Sequence, residues 1–335
     1  MSEERKCISI IDSVLPRGPE CFAGCFDSDS EIITINGERT LFSIDSFSSE
    51  DMFRLNAPTR LGWNVAVAAM SDILACGGTP LFYGYAVEMD RSWDEAFLRR
   101  FSEGVARALK PAGVSFIGGD LGQSHEWHYT AAVIGRLEGE PVLRKGAAPG
   151  HIIYLSGKVG TGNLEAAMNL YAKNLPYAGR FSLRLSEASV MRRYATCCID
   201  TSDGVFAALN AISEINGTGY CVEHLPYIHR GVLMAKTFSL PESLLFFGGS
   251  GEYELLFTIE EEKEKEFLRA AKSEGLKFYR LGRMTGGKPP GRYLEERDEK
   301  IDISDIDLDA RDHSSREEYI KKLIRTAREL GCRDA

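Results

Sequence analysis

The sequence predicts a two-domain α/β protein, and three observations carry that prediction. The chain has 335 residues, 44% of them hydrophobic, enough for two separately buried cores at about 150 residues each. Over roughly the first 140 residues, β-rich runs alternate with amphipathic helical runs. The turn chemistry of Ala147-Ala-Pro-Gly150 then marks a boundary. The expected division is a first domain over residues 1–146, a second over 147–300, and an acidic linker with a C-terminal helix over 301–335.

In the first domain, Glu31 to Ile35 and Arg39 to Ile44 are β-rich runs separated by Asn36-Gly37. That dipeptide supplies the two positive-φ residues of a type I′ turn, so a β-hairpin is expected. A helix follows from about Thr59 to Cys76, with Leu61, Val65, Ala68 or Ala69, and Ile73 on one face, stopped by Gly77-Gly78-Thr-Pro80. Leu81 to Met89 reads as a strand. Ser92-Trp-Asp-Glu95 has the form of a capping box, opening a helix with Phe97, Phe101, Val105 and Leu109 at every fourth residue up to Pro111. Val114 to Ile117 and Tyr129 to Leu137 complete the strands of this part.

The second domain opens on a strand at Ile152 to Ser156, after which Asn163 is a candidate helix cap. A helix is expected over Leu183 to Tyr194, and a strand over Cys197 to Asp200 that places the two adjacent cysteines on opposite faces. Thr-Ser-Asp203-Gly then leads into another helix. Leu244 to Phe247 and Tyr253 to Ile259 read as β runs around Gly248-Gly-Ser-Gly251, followed by a helix from Glu262 to Ser273 and a strand from Phe278 to Gly282. In the tail, Ser315 and Glu318 form a capping box, and Tyr319, Leu323, Ala327 and Leu330 form an apolar stripe.

Charge and composition exclude several classes. With 40 Lys+Arg against 49 Asp+Glu the net charge is −9, a poor basis for binding a phosphate backbone, so nucleic acid is not an expected partner. Any phosphorylated ligand would need Mg²⁺ or a few local cations. The N-terminus has no apolar h-region, and the longest apolar stretch, Val65 to Met70, falls far short of the ~20 residues of a membrane span. None of the eight cysteines forms a C-x-x-C pair. The expectation is a cytoplasmic protein with reduced thiols and no membrane partner.

Three motif matches fail on inspection. Gly282 to Lys288 has P-loop spacing, but Pro289 stands where the Ser or Thr should be, and Pro290 prevents a following helix. Asp305, Asp307 and Asp309 begin like a calcium loop, but Ala310 replaces the glycine and Arg316 the bidentate glutamate. His125-Glu-Trp-His128 reads as a solvated loop, since an i,i+3 pair at the start of a strand diverges. No Ser–His–Asp arrangement is arguable.

What remains is the placement of aspartates. β runs end in Ile44-Asp45-Ser46, Ile117-Gly-Gly-Asp120 and Ile199-Asp200-Thr-Ser-Asp203-Gly, while Asp29 precedes the hairpin and Asp72 lies on the helix after it. Each alone is ordinary turn or cap chemistry. Together they suit Mg²⁺, which takes one or two carboxylates plus water and substrate phosphates.

The order of these motifs resembles the thiamine-monophosphate kinase family, within the aminoimidazole ribonucleotide (AIR) synthase superfamily. The resemblance runs from about Ala23 to Met284. It rests on Ser43-Ile-Asp45-Ser, Ala68-Ala-Met-Ser-Asp72-Ile-Leu-Ala-Cys-Gly-Gly-Thr-Pro80, Phe116-Ile-Gly-Gly-Asp120, Arg144-Lys-Gly-Ala-Ala-Pro-Gly150, Ile199-Asp-Thr-Ser-Asp203-Gly and Tyr253-Glu-Leu-Leu-Phe-Thr258. It implies AIR synthase-like N- and C-terminal domains and a homodimer in which the N-terminal domains pair into a β-barrel. ATP and several Mg²⁺ ions would bind in clefts beside that barrel.

Carried over by motif, Asp29, Asp45, Asp72, Asp120 and Asp203 would be metal ligands. Ser46, Gly118, Gly119, Asp120, Arg144 and Ser202 would face nucleotide or phosphate, and Met52, Asp200, Glu252 and Tyr253 the substrate. No side chain is expected to act as a catalytic acid or base: the γ-phosphoryl group of ATP would pass directly to a small phosphorylated acceptor, thiamine monophosphate first among candidates, whose oxygen is already anionic at pH 7.

The sequence also departs from the family. Asp27-Ser28-Asp29 replaces Gly-Asp-Asp, Met52 a histidine, Leu121 a threonine, and His151 an aspartate; Gly251-Glu252-Tyr253 retains one of two acidic residues, leaving Asp27 or Glu252 to restore the missing charge. A related ATP-using enzyme with another substrate, or a nucleotide-binding subunit without turnover, is therefore the alternative expectation.

Overall fold

The computed structural model describes residues 3–51, 56–171, 179–296, 299–309, 313 and 315–331. In chain order the elements are α1 (Glu3–Val14), β1 (Glu31–Ile35), β2 (Glu38–Ser48), α2 (Pro58–Ala75), β3 (Thr79–Asp90), α3 (Glu95–Ala112), β4 (Ser115–Ser124), β5 (His128–Arg136), β6 (Ile152–Leu155), α4 (Thr161–Tyr171), α5 (Leu185–Met191) and β7 (Ala195–Asp200). These are followed by α6 (Val205–Asn216), β8 (Gly219–Val222), α7 (His229–Thr237), α8 (Leu244–Phe247), β9 (Leu255–Ile259), α9 (Glu264–Ser273), β10 (Tyr279–Thr285), β11 (Arg292–Glu296), β12 (Glu299–Asp302) and α10 (Arg316–Gly331).

Among the described residues the strands form two sheets, a five-stranded one in the order β1-β2-β5-β3-β4 and a seven-stranded one in the order β12-β11-β8-β10-β6-β9-β7. The mixed α/β class follows. The hairpin forms as expected: Ile35 pairs with Glu38, and Asn36 and Gly37 take φ of 52° and 83°.

One element joins the two sheets. Helix α2 starts at Pro58, whose missing N–H suits the first turn, and is buried almost continuously from Leu61 to Ala75. A helix apolar all round must be covered all round. It packs on β2 and β5 of one sheet and on β7 and β9 of the other. Its last turn, Leu74 and Ala75, shares a core with Tyr154, Cys198 and Phe257 from the second sheet. Cys197 and Cys198 do face different cores.

The first sheet presents an open face. On β2, Leu41, Ser43 and Phe47 are buried toward the helices, whereas Ile44 is 59% exposed. Phe82 on β3 and Phe116, Ile117 and Leu121 on the edge strand β4 are exposed as well.

Several local expectations are corrected. Leu244–Phe247 is a helical turn rather than a strand, because Phe246 and Phe247 pack edge-on against Phe206 within one core. The cap of α3 is Asp94, whose carboxylate accepts from the Phe97 amide, while Ser92 bonds back to Asp90. Asn163 lies inside α4, and its amide donates to Leu245 O and Gly248 O. Helix α1 and the polar pair β11–β12 were not anticipated: they lack the strong apolar periodicity that marks the other elements. The tail helix is as expected, with the Glu318 amide bonded to the Ser315 hydroxyl and the stripe of Tyr319, Leu323 and Leu330 buried in the second sheet's core.

Candidate metal and phosphate site

The aspartates converge where α2 lies between the sheets. Asp29 comes from the loop before β1, Asp45 from β2, Asp72 from α2, Asp200 from the end of β7, and Asp203 from the turn that follows. Asp29, Asp72 and Asp200 each bring a carboxylate oxygen within 4.8 Å of the other two. Asp45 is close enough for its charge to act on Asp72, and Asp203 for its charge to act on Asp45.

The carboxylates of Asp29, Asp72 and Asp200 are oriented by hydrogen bonds from neighbouring groups. The Ser43 hydroxyl donates to Asp72 and the Ser71 hydroxyl to Asp200. Ser202 donates to Asp200 through its hydroxyl at 2.8 Å, and the Asp200 amide donates to Asp29 at 3.1 Å. These contacts leave lone pairs on every carboxylate. Hard oxygen donors at this spacing, in excess over the cations beside them, fit a divalent cation such as Mg²⁺.

Five carboxylates face one guanidinium, and their proton affinities respond. Burial, reinforced by Asp200, Asp29 and Asp203, pushes Asp45 up to about 7. Burial and Asp29 push Asp200 up to about 6, against the opposing Ser71, Ser202 and Arg144. Burial lifts Asp72 well above the carboxylate range, and Asp29 is raised despite Arg144. These groups sit above their unfolded values near 3.9. The stability linked to their protonated forms is therefore full below about pH 4 and lost as pH rises through 6–7. A bound cation reverses that loss. Saturating Mg²⁺ is expected to raise Tm by roughly 5–10 °C at pH 8 and by little at pH 5, measured by differential scanning calorimetry with and without chelator. An equal shift at both pH values would contradict this site.

The remaining expected residues fall into three groups. Arg144 does not face open space for a phosphate: its guanidinium makes two hydrogen bonds to Asp29, with side-chain exposures of 21% and 1%. Glu252 is likewise committed, since its carboxylate accepts from the amides of Gly160, Thr161 and Gly162 at the start of α4. An anion at a helix N-terminus is a structural cap, which removes Glu252 from the substrate contacts. Tyr253 is buried, with φ of 52° and its ring 4.6 Å from that of Phe181. Asp27 pairs with Lys145 at 2.6 Å, so neither Asp27 nor Glu252 restores charge to the cluster.

Asp120 is the largest correction. It pairs with Ala86, which pairs with Thr130, which pairs with Ser46. The hydroxyls of Ser46 and Thr130 lie 3.0 Å apart on the exposed face, so Asp120 and Asp45 belong to rows on opposite faces. Three strand spacings, about 14 Å, also separate their strands. The adjoining Gly119 cannot carry a side chain, because a Cβ there would sit 1.6 Å from Tyr85 O; Gly118 has φ of 104°. Met52 lies outside the described residues.

Two kinds of residue were missed. Ser43 and Ser71, each near an aspartate in sequence, orient carboxylates through their hydroxyls, and Asp51 lies close enough to raise Asp45. Ser43-Ile-Asp45 and Ser71-Asp72 were visible signals; nothing local marked Asp51.

Fold and site together define an α/β protein that gathers carboxylates between two sheets. Residues 27–137 match the family described as AIR synthase related protein, N-terminal domain. The thiamine-monophosphate kinase of Methanopyrus kandleri is 27% identical over 294 residues, covering 83% of this chain and 93% of the relative. The thiamine-monophosphate kinase of Nitrosopumilus maritimus is 26% identical over 248 residues, covering 71% and 78%. Among solved structures, AaThiL complexed with AMPPCP and TMP has a TM-score of 0.74 at 21% identity, covering 90% of this chain and 96% of that one. Over most of its length the chain is similar to thiamine-monophosphate kinases, and over residues 27–137 to the AIR synthase related N-terminal domain. Among the described residues no helix is long and apolar enough to cross a membrane.

Proposed function

We propose that the protein transfers the γ-phosphoryl group of ATP to thiamine monophosphate, forming thiamine diphosphate. The observation that carries this reading is the convergence of Asp29, Asp72 and Asp200 in a chain aligned over most of its length with thiamine-monophosphate kinases. Asp29, Asp45, Asp72, Asp200 and Asp203 are the residues that would hold Mg²⁺. Bound there, Mg²⁺ neutralises polyphosphate charge and so lowers the repulsion between two anionic reactants. The chain's own work is positioning. Ser43 and Ser71 fix carboxylate orientation, and Arg144 keeps the buried Asp29 available as an anion. The acceptor phosphate, already anionic at pH 7, is its own nucleophile.

Ser46, Gly118, Gly119 and Asp120 form a separate nucleotide-side part of the proposal, on the open face and edge of the first sheet. The exposed Ile44, Phe82 and Ile117 support a homodimer in which two such sheets pair into a barrel. The proposed boundary between residues 146 and 147 is supported by the strand content of the two sheets, whereas β12 (Glu299–Asp302) crosses the proposed boundary at 300.

Phosphorus NMR with ATP, Mg²⁺ and thiamine monophosphate, beside a control lacking the acceptor, tests the reading. Thiamine diphosphate and ADP are expected to grow together. Equal ADP in both tubes would replace the acceptor, and bound ATP without ADP would leave a nucleotide-binding subunit.

A further inference from the structure

We propose that Tyr319, on the C-terminal helix α10, is a positioning residue for the aspartate site, acting through the Gly248–Gly251 loop. The inference deepens the proposed function and rests on it for the identity of the bound cation.

The loop lies backbone to backbone against the turn that carries Asp200, Ser202 and Asp203. The Glu252 amide donates to Thr201 O at 2.9 Å. A Cβ on Gly204 would stand 2.5 Å from Gly248 O, and one on Gly251 would stand 2.5 Å from Ser202 O. At such contact neither strand of backbone can move without the other.

The loop's other side is held at two points. Asn163 accepts from the Ser250 amide at 3.1 Å, and the Tyr319 hydroxyl accepts from the Gly249 amide at 2.6 Å. Tyr319 is only 8% exposed, and Leu323 and Leu330 of the same helix are buried in the same core. The ring is thus fixed, and its oxygen is a fixed anchor for the loop. A helix far along the chain from every aspartate thereby sets the position of Asp203. Residues that support ligands from outside tune metal affinity about 10–100-fold; acting one layer further out, Tyr319 is expected to have a smaller effect.

The test compares wild type with Tyr319→Phe, which keeps the ring and removes the oxygen, and with Leu323→Ala, which loosens the same helix without touching the loop. Manganese(II) binding is read by electron paramagnetic resonance and backbone exchange by hydrogen–deuterium mass spectrometry. In Tyr319→Phe the Mn²⁺ Kd is expected to rise roughly 3–10-fold, and amides of residues 200–204 and 248–252 to exchange faster while Leu323 to Leu330 stay protected. Leu323→Ala should lower Tm and leave the Mn²⁺ Kd unchanged. An unchanged Kd in Tyr319→Phe, or an equal rise in Leu323→Ala, overturns the inference. If wild type binds no Mn²⁺, the metal reading fails separately, and exchange at residues 200–204 decides alone whether Tyr319 holds the turn.

Discussion

Asp45→Asn is expected to lower turnover about 10²–10³-fold, as the loss of a preorganised electrostatic group does, and at the same time to make the metal-free protein more stable at pH 8. The two effects share one cause. Asp45 is half-buried among carboxylates that push it up to about 7, burial first and then Asp200, Asp29 and Asp203. Its folded value is above its unfolded value, so the stability of its protonated form is complete below about pH 4 and lost as pH rises through 7. At pH 8 the folded chain carries that charge unfavourably. Asparagine has the same shape and never ionises, so the metal-free variant should melt higher than wild type at pH 8 and equally at pH 4–5. Added Mg²⁺ should reverse the order at pH 8. Calorimetry at three pH values, paired with an ADP-release assay, checks both halves. A lower Tm for the metal-free variant at pH 8 would mean that the Asp45 charge is compensated within the chain.

Arg144→Met is expected to be the most destabilising single change at the site. The guanidinium holds Asp29, whose side chain is 1% exposed, and Asp29 also receives the Asp200 amide. Removing one partner of a buried pair leaves the other charge uncompensated, a loss of about 3–5 kcal/mol. For a protein of this size that corresponds to roughly 4–7 °C in Tm. The sign with pH is that of an ion pair lost in acid, in a window moved upward by burial of Asp29. Asp29 is already raised by burial, and without Arg144 it takes up a proton more readily still. The defect should therefore be large at pH 8 and shrink toward pH 5. Arg144→Lys keeps the charge but not the two-pronged geometry, and should recover part of the loss. A Tm within 2 °C of wild type at pH 8, by calorimetry, would remove Arg144 from this role.

Much of this was legible in the sequence because the signals were local. Asn36-Gly37 fixes the hairpin, the apolar run after Pro58 fixes α2, and Ser315 with Glu318 fixes the start of α10. Of the aspartates read as a set, Asp29 and Asp72 lie in one cluster, and Asp29 and Asp203 are close enough to act on Asp45. Asp120 looked the same by that criterion and does not gather with them. Its face depends on the register of β4 on β3, β3 on β5 and β5 on β2, including two irregularities in pairing. No local pattern encodes that sum. Arg144 and Glu252 were misread for a related reason. A cation near a phosphate motif and a carboxylate near a glycine loop suggest ligands, but their partners, Asp29 and the start of α4, lie 115 and about 90 residues away. Asp200, expected to face the substrate, lies with Asp29 and Asp72 because β7 ends against α2.

The bond from the Asp200 amide to Asp29, and that from Ser71 to Asp200, join atoms from opposite halves of the chain. Neither half holds a complete set of donors, so the site is inherited only as a matched pair. Exchanging one half for that of a distant relative would bring two sheets together but misalign the carboxylates along their common border. Drift on one side of that border is therefore constrained by the residues on the other.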